Sequence, residues 1–227
     1  MVDSEAHTIE QALMSRRSVR GFLPDPVDHN ILLRILRAAG NAPSGSNIQP
    51  WRVHVVRGHS LSALSQKLVA AHQAGYKPRP EYHYYPTTWR SPYIDRRREN
   101  GWGLYGVLGI KKGDYDATAL QHRRNYYFFD APLALFFTID DDLELGSWLD
   151  YGMFLQSIMV AARGHGLHTC PQQALVNYPD IVRQELHIPA NQQLVCGMSM
   201  GYENPEQPAN QFRTTRIPLN EFVQFHE

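Results

Sequence analysis

Apolar residues recur at helical or strand spacing along most of this chain, and each period predicts an element. Thr8-Ile9-Glu10-Gln11 forms a capping box, with Thr8 as N-cap and Gln11 three residues on, so a first helix begins at Ile9. Ile9, Ala12 and Leu13 give it an apolar face, and it should end near Arg17. Val19 and Phe22 continue in an extended segment, and Pro24 and Pro26 stop further helix. Asp28 caps a second helix, with Leu32, Ile35, Leu36 and Ala39 as its buried stripe and Gly40 as its stop. WRVHVVRG, at 51–58, alternates enough to be a strand. Ser60 opens a third helix through Leu61, Leu64, Leu68 and Ala71. PLALFFTID, at 132–140, and QLVCGMSMGY, at 193–202, are strands of the buried type. Between them, a helix over 147–163 is apolar on nearly every face, which predicts burial in a core or across a subunit interface. Pro179 starts a short helix over 178–187. The tail NQFRTTRIPLNEFVQF is too apolar for a free end and should pack on something.

One stretch breaks these periods. Positions 76–129 hold 13 of the 25 aromatic residues, several prolines and the run Arg96, Arg97, Arg98. The stretch reads as an aromatic-rich insertion at about 76–128, carrying one or two helices, in a single domain of residues 1–227. The element order lacks regular βα alternation, which points to α+β rather than a doubly wound fold.

Composition narrows the partners. Of 227 residues, 43% are hydrophobic, enough for a real core. Lys+Arg and Asp+Glu are both 22, and without a basic excess no nucleic-acid binding is expected. Any anion recognition must therefore be local, and a chain of zero net charge repels its own copies little. Cys170 and Cys196 make no disulfide framework and read as free thiols in a reducing compartment. The N-terminus has no signal-peptide order and no run reaches the ~20 apolar residues of a membrane span. The expectation is a cytoplasmic protein without a membrane partner.

Most motif-like strings dissolve on inspection. Gly101, Gly103 and Gly106 spell G-x-G-x-x-G, but DRRREN before them is no strand, so the dinucleotide reading is rejected. His165 and His168 have no partner set, and no metal site is expected. Asp140 to Asp142 read as acidic residues before a helix N-terminus, and Cys170 as a buried structural thiol. SRRSVRGF, at 15–22, is different. Arg16 and Arg17 suit a helix C-terminus, but Arg20 lies beyond it. With Val19 inward, Ser18 and Arg20 share the opposite face and could converge on a phosphate. On the triplet alone, site and solvated end stand level. APSGSNIQPW, at 42–51, adds a turn with exposed backbone and the amides of Asn47 and Gln49.

RRSVRGF and APSGSNIQPW together resemble the FMN-dependent nitroreductase family. LDYGMFLQSIMVAARGHGL, CPQQAL, LVCGMSMGY and TTRIPLNEF continue the match in order, over most of the chain except roughly 76–128. The insertion, with YHYYPTTWRSPY, is most similar to the nitrobenzoate-reductase-like branch. The resemblance implies a three-layer α/β/α sandwich around a mostly antiparallel sheet, as an intertwined homodimer with FMN at the interface. It implies that Arg16, Arg17, Ser18 and Arg216 hold the FMN phosphate and ribityl chain, and that Arg20 faces the pyrimidine edge. Pro43, Ser44 and Asn47 would come from the other subunit. Pro171, Gln172 and Gln173 would run along the flavin, with the Gln173 backbone N–H at N5. A lysine common in the family is Thr214 here, a charge that Arg213 could replace, with Arg124 able to contribute elsewhere at the flavin. Gln173 stands where a glutamate is often found.

The activity so implied is a ping-pong reduction with NAD(P)H as donor. A small electron-poor aromatic stacks on the flavin, and its nitro group goes to nitroso and then hydroxylamine. No catalytic side chain is required, because the cofactor carries the chemistry. Quinone or enone reduction, reductive dehalogenation and flavin modification are the alternatives on the same scaffold.

Overall fold

The computed structural model describes residues 5–227. Four strands form one sheet in the order β1-β2-β4-β3, with every neighbouring pair antiparallel. The strands are β1 (Arg52–Arg57), β2 (Leu133–Asp140), β3 (His168–Gln172) and β4 (Gln192–Gly201). The two central strands are buried almost throughout. Side chains alternate along β2, so Ala134 and Phe136 enter one core while Leu135, Phe137 and Ile139 enter the other.

Helices cover both faces. α3 (Gly58–Gln73) and α7 (Pro179–Leu186) pack on the first core, and α2 (His29–Ala39) and α6 (Leu145–Arg163) on the second. The result is the expected α+β three-layer α/β/α sandwich. α1 (Ile9–Ser15) rests near the C-terminal end of α6, where the Arg163 Nε donates to Ser15 Oγ at 3.1 Å. The capping box at Thr8 and Gln11 and the Asp28 cap of α2 form as the sequence predicts. The 76–128 segment carries α4 (Tyr93–Val107) and α5 (Tyr115–Arg123), and G-x-G-x-x-G lies inside α4 rather than after a strand.

Five details differ from the sequence reading. α1 ends at Ser15, so Arg16 is its C-cap rather than part of its last turn. α3 starts at Gly58, two residues early, because Gly58 takes a φ of 58° that lets the chain turn directly from β1 into helix. β3 was not anticipated: CPQQ looks like turn chemistry, yet Pro171 is tolerated because β3 is an edge strand of the sheet. The tail only partly packs on its own chain, since Leu219, Phe222 and Phe225 stay exposed. α6 likewise buries one side on the sheet and leaves Leu145 and Leu149 exposed on the other.

Gly197 sits mid-strand in β4, and a Cβ there would lie 2.5 Å from Leu175 Cδ1. Gly197→Ala should therefore destabilise by about 1–3 kcal/mol through overpacking, read as a lowered melting temperature.

Candidate functional site

The extended segment after α1 is held on two sides. Val19 N–H donates to the Thr169 carbonyl of β3 at 3.1 Å, and Leu23 N–H to the Tyr202 carbonyl at 2.9 Å. Asn210, buried in the tail, accepts from Arg20 N–H at 2.7 Å and donates to the Gly21 carbonyl at 2.8 Å. Gly21 is required there: a Cβ would lie 2.3 Å from Gln207 Cγ. With Val19 fully buried, its neighbours Ser18 and Arg20 turn the other way, as the period-2 reading requires.

The arginines separate into two kinds. Arg17 pairs with Glu203, whose carboxylate also lies 3.6 Å from the buried His168. His168 in turn accepts from the buried Arg163 at 2.9 Å. Arg17 thus belongs to a compensated network in the wall of the groove described below. Arg16 is half-buried, and its guanidinium is pushed below the ordinary value, first by burial and then by the neighbouring Arg216 cation. Among the described residues, no carboxylate pairs with Arg16, Arg20, Arg213 or Arg216. Arg216 bonds its own strand of tail, donating to Thr214 Oγ1 at 2.6 Å, and Arg213 donates to the Asn210 carbonyl. Arg16, Arg17, Arg213, Thr214 and Arg216 line one open groove of about 1510 Å³. Arg124 is bound to Asp130 by two hydrogen bonds of 2.9 and 2.6 Å.

Arg20 donates to the Ser18 carbonyl at 3.3 Å and faces Cys170. Burial raises the Cys170 thiol, against the opposing pull of Arg20, Ser18 and Arg16, and pushes Cys196 up to about 12. Pro171 is exposed at the end of β3. Gln172 is buried instead, donating to the Asn125 carbonyl at 3.1 Å and accepting from Ser199 Oγ at 2.5 Å. Gln173 begins the next turn, against Tyr82.

Pro43, Ser44 and Asn47 lie elsewhere. Their loop is pinned near the N-terminal half of α6, where Gly45 N–H donates to Asp150 at 3.0 Å. The SRRSVRGF segment meets α6 at Arg163. At 1.5 Å rise per residue, those two points on α6 are about 20 Å apart. Within one chain the structure brings Arg16, Arg17, Arg213 and Arg216 to one groove, sets Ser18 and Arg20 beside Cys170 of β3, turns Gln172 and Gln173 toward Asn125, Ser199 and Tyr82, and leaves the 43–47 loop apart. Sequence reasoning missed Asn210 and Glu203, whose partners lie up to 190 positions away.

An α/β/α sandwich with a convergent cation corner at one end of an antiparallel sheet defines the class, and the comparisons give the family. The nitroreductase family model matches residues 13–202, and the chain belongs to that family. It is 39% identical to the 4-nitrobenzoate reductase of Pseudomonas putida over 216 residues, 95% of this chain and 94% of that one. It is also 39% identical to the nitrobenzene nitroreductase of Ectopseudomonas oleovorans, covering 96% and 97%. The crystal structure of the FMN-dependent nitroreductase NfnB from Mycobacterium smegmatis, in complex with NADPH, superposes with a TM-score of 0.92 at 32% identity, covering 96% and 97%.

Two outcomes follow from this geometry. Inorganic phosphate should raise the melting temperature, by about 1.4 kcal/mol of stabilisation at roughly ten times its Kd, and Arg16→Ala should remove that gain. At mildly alkaline pH, iodoacetamide should leave Cys196 unlabelled in the folded protein and label it after unfolding, because thiolate is the reacting form.

Proposed function

We propose that this chain is an FMN-dependent NAD(P)H oxidoreductase that reduces nitroaromatic compounds, nitro to nitroso and hydroxylamine, and that it works as a homodimer. The carrying observation is the Arg16–Arg216 pair, two guanidiniums brought together with no carboxylate between them among the described residues. A phosphate monoester fits that donor set: it is doubly charged and takes bidentate hydrogen bonds. FMN, when bound, would supply the hydride-transfer chemistry between a reduced nicotinamide and the nitro compound.

The residues of the chain bind and orient. Arg16 and Arg216 grip the phosphate, Ser18 serves the ribityl chain, and Arg17 holds the corner rigid through Glu203. Arg213 supplies the charge that Thr214 lacks. Arg20, whose backbone is fixed by Asn210, would offer a cation to the flavin, where it would favour a negatively charged ring. Pro171, Gln172 and Gln173 form the floor. The 76–128 insertion of a single 1–227 domain supplies aromatic walls over the ring.

The second subunit is needed because Pro43, Ser44 and Asn47 lie about 20 Å along α6 from the cation corner. A partner's loop can complete the site that one chain leaves open. The exposed Ile9, Leu13, Met14, Leu219, Phe222 and Phe225 are the apolar surface such an intertwined partner would cover. Among the described residues no helix is long and apolar enough to cross a membrane. Free buried thiols suit a reducing cytoplasm.

The purified protein should show the absorption bands of oxidised flavin and sediment as a dimer; a colourless protein that takes up no added FMN would refute the reading. NADPH or NADH should bleach the flavin anaerobically, and a nitroaromatic such as 4-nitrobenzoate should restore it. Arg16→Ala or Ser18→Ala should weaken FMN retention by about tenfold, the equivalent of one charged hydrogen bond. Arg20→Ala should in addition slow flavin reduction in the protein that keeps its FMN, measured by stopped-flow.

A further inference from the structure

The root of the insertion meets the sheet at its one register shift. β2 and β4 pair regularly until Phe137 and Thr138, where Phe137 faces Cys196 and Thr138 faces Leu194. Val195 is the extra residue, and a bulge leaves such a residue outside the ladder. Two consecutive residues of the insertion occupy this gap. Glu81 accepts from Leu194 N–H at 2.7 Å and from Arg183 Nε at 2.8 Å, and Gln193 Nε2 donates to the Glu81 carbonyl at 3.1 Å. Tyr82 donates its hydroxyl to the Val195 carbonyl at 2.6 Å, and the same oxygen lies 3.0 Å from Oε1 of Gln173. The Tyr82 ring is fixed edge-on against Trp148, with centroids 4.7 Å apart.

A phenol has one hydrogen to give. The Val195 carbonyl can only accept, and it stands closer, so it takes that hydrogen. Contact with Gln173 is then satisfied when the amide turns by half a revolution about Cγ–Cδ and donates Nε2 to the phenol oxygen. With Oε1 against the phenol, Nε2 is buried without a partner, a cost the turn removes. The bulge carbonyl, the phenol and the amide then form one directed chain of hydrogen bonds, running from the central strand through the insertion to the turn after β3.

We propose that Tyr82 is a positioning residue for the flavin-facing turn. By holding the Gln173 side chain from the bulge, it fixes the backbone of residues 171–173, on which the isoalloxazine is to lie. This rests on the FMN reading above. Tyr82 acts through Gln173 and touches neither substrate nor phosphate.

The test uses the dimeric flavoprotein and two readouts apart from turnover: the flavin midpoint potential and the FMN dissociation constant. Tyr82→Phe removes the hydroxyl and keeps the ring against Trp148. It should shift the potential and weaken FMN binding several-fold. Gln173→Met, which keeps the length and loses the amide, should shift both in the same direction. The double variant should go no further than the larger single change, because both substitutions break one chain. Additive shifts, or Tyr82→Phe with wild-type potential and affinity, overturn the proposal. If Tyr82→Phe does not fold, Gln173→Met decides alone, and wild-type values in it overturn the proposal. A wild-type protein that takes up no FMN overturns the functional reading and this inference with it. A wild-type protein that binds FMN, with variants that do not respond, overturns this inference only.

Discussion

The candidate site turns on two cations, Arg16 and Arg216, that share the wall of one open groove. Like charges repel, and partial burial of Arg16 strengthens the repulsion by removing water. Among the described residues no carboxylate pairs with either, and Glu203 on the same groove wall is taken by Arg17 and faces His168. The two cations must therefore be held by other bonds. Arg16 is fixed as the C-cap of α1, its N–H donating to Ala12. The tail that brings Arg216 is tied by Asn210 to Gly21 and Asn204. Two cations held on one groove wall suit an anionic ligand, which is the basis of the proposed phosphate contact.

How far this was legible follows from the range of each interaction. The inward Val19, the outward Ser18 and Arg20, and the cap at Thr8 depend on neighbours within a few positions, so the sequence shows them. Whether Arg17 meets ligand or protein depends on Glu203, 186 positions away, and no local period carries that. The edge strand β3 was hidden for a different reason. Pro171 and two glutamines imitate a turn, while the strand is made by β4 pairing on one side and Ser18 bridging on the other. The insertion showed itself as a change of composition, but its helices α4 and α5 bury no residue and so leave no amphipathic stripe to read.

The sheet explains why one chain gives an open groove. β1 and β3 occupy opposite edges, and the loop before β1 and the segment beside β3 are separated by three strand spacings of about 4.8 Å each as well as by the length of α6. No rotamer change brings them together. The same architecture leaves the outer side of α6 and the face of α1 exposed, carrying apolar residues that a lone chain would leave in water. Site completion and burial of these faces are thus one requirement, which the proposed second copy would meet together.

The insertion is tied at two ends of unequal strength. At its root, Glu81 meets Arg183 with both groups mostly buried, and Tyr82 fills the bulge at Val195. At its far part, α4 holds the tail through Thr215 on Glu99 and through an exposed Arg96–Glu221 pair at 3.5 Å. Exposed pairs of that kind contribute about 0–1 kcal/mol. Between the ends, Tyr84 meets Tyr85 edge-to-face, Tyr85 meets Trp89 at a tilt, and Arg97 lies over both Tyr85 and Trp89, instead of these rings entering a core. The aromatic wall is therefore rigid where it touches Gln173 and lightly held where its rings face outward. Gly103 closes the gap further along α4, where a Cβ would lie 2.3 Å from the Phe212 ring, so α4 and the start of the tail segment that carries Arg213 and Arg216 pack as one piece while the exposed rings beyond them do not.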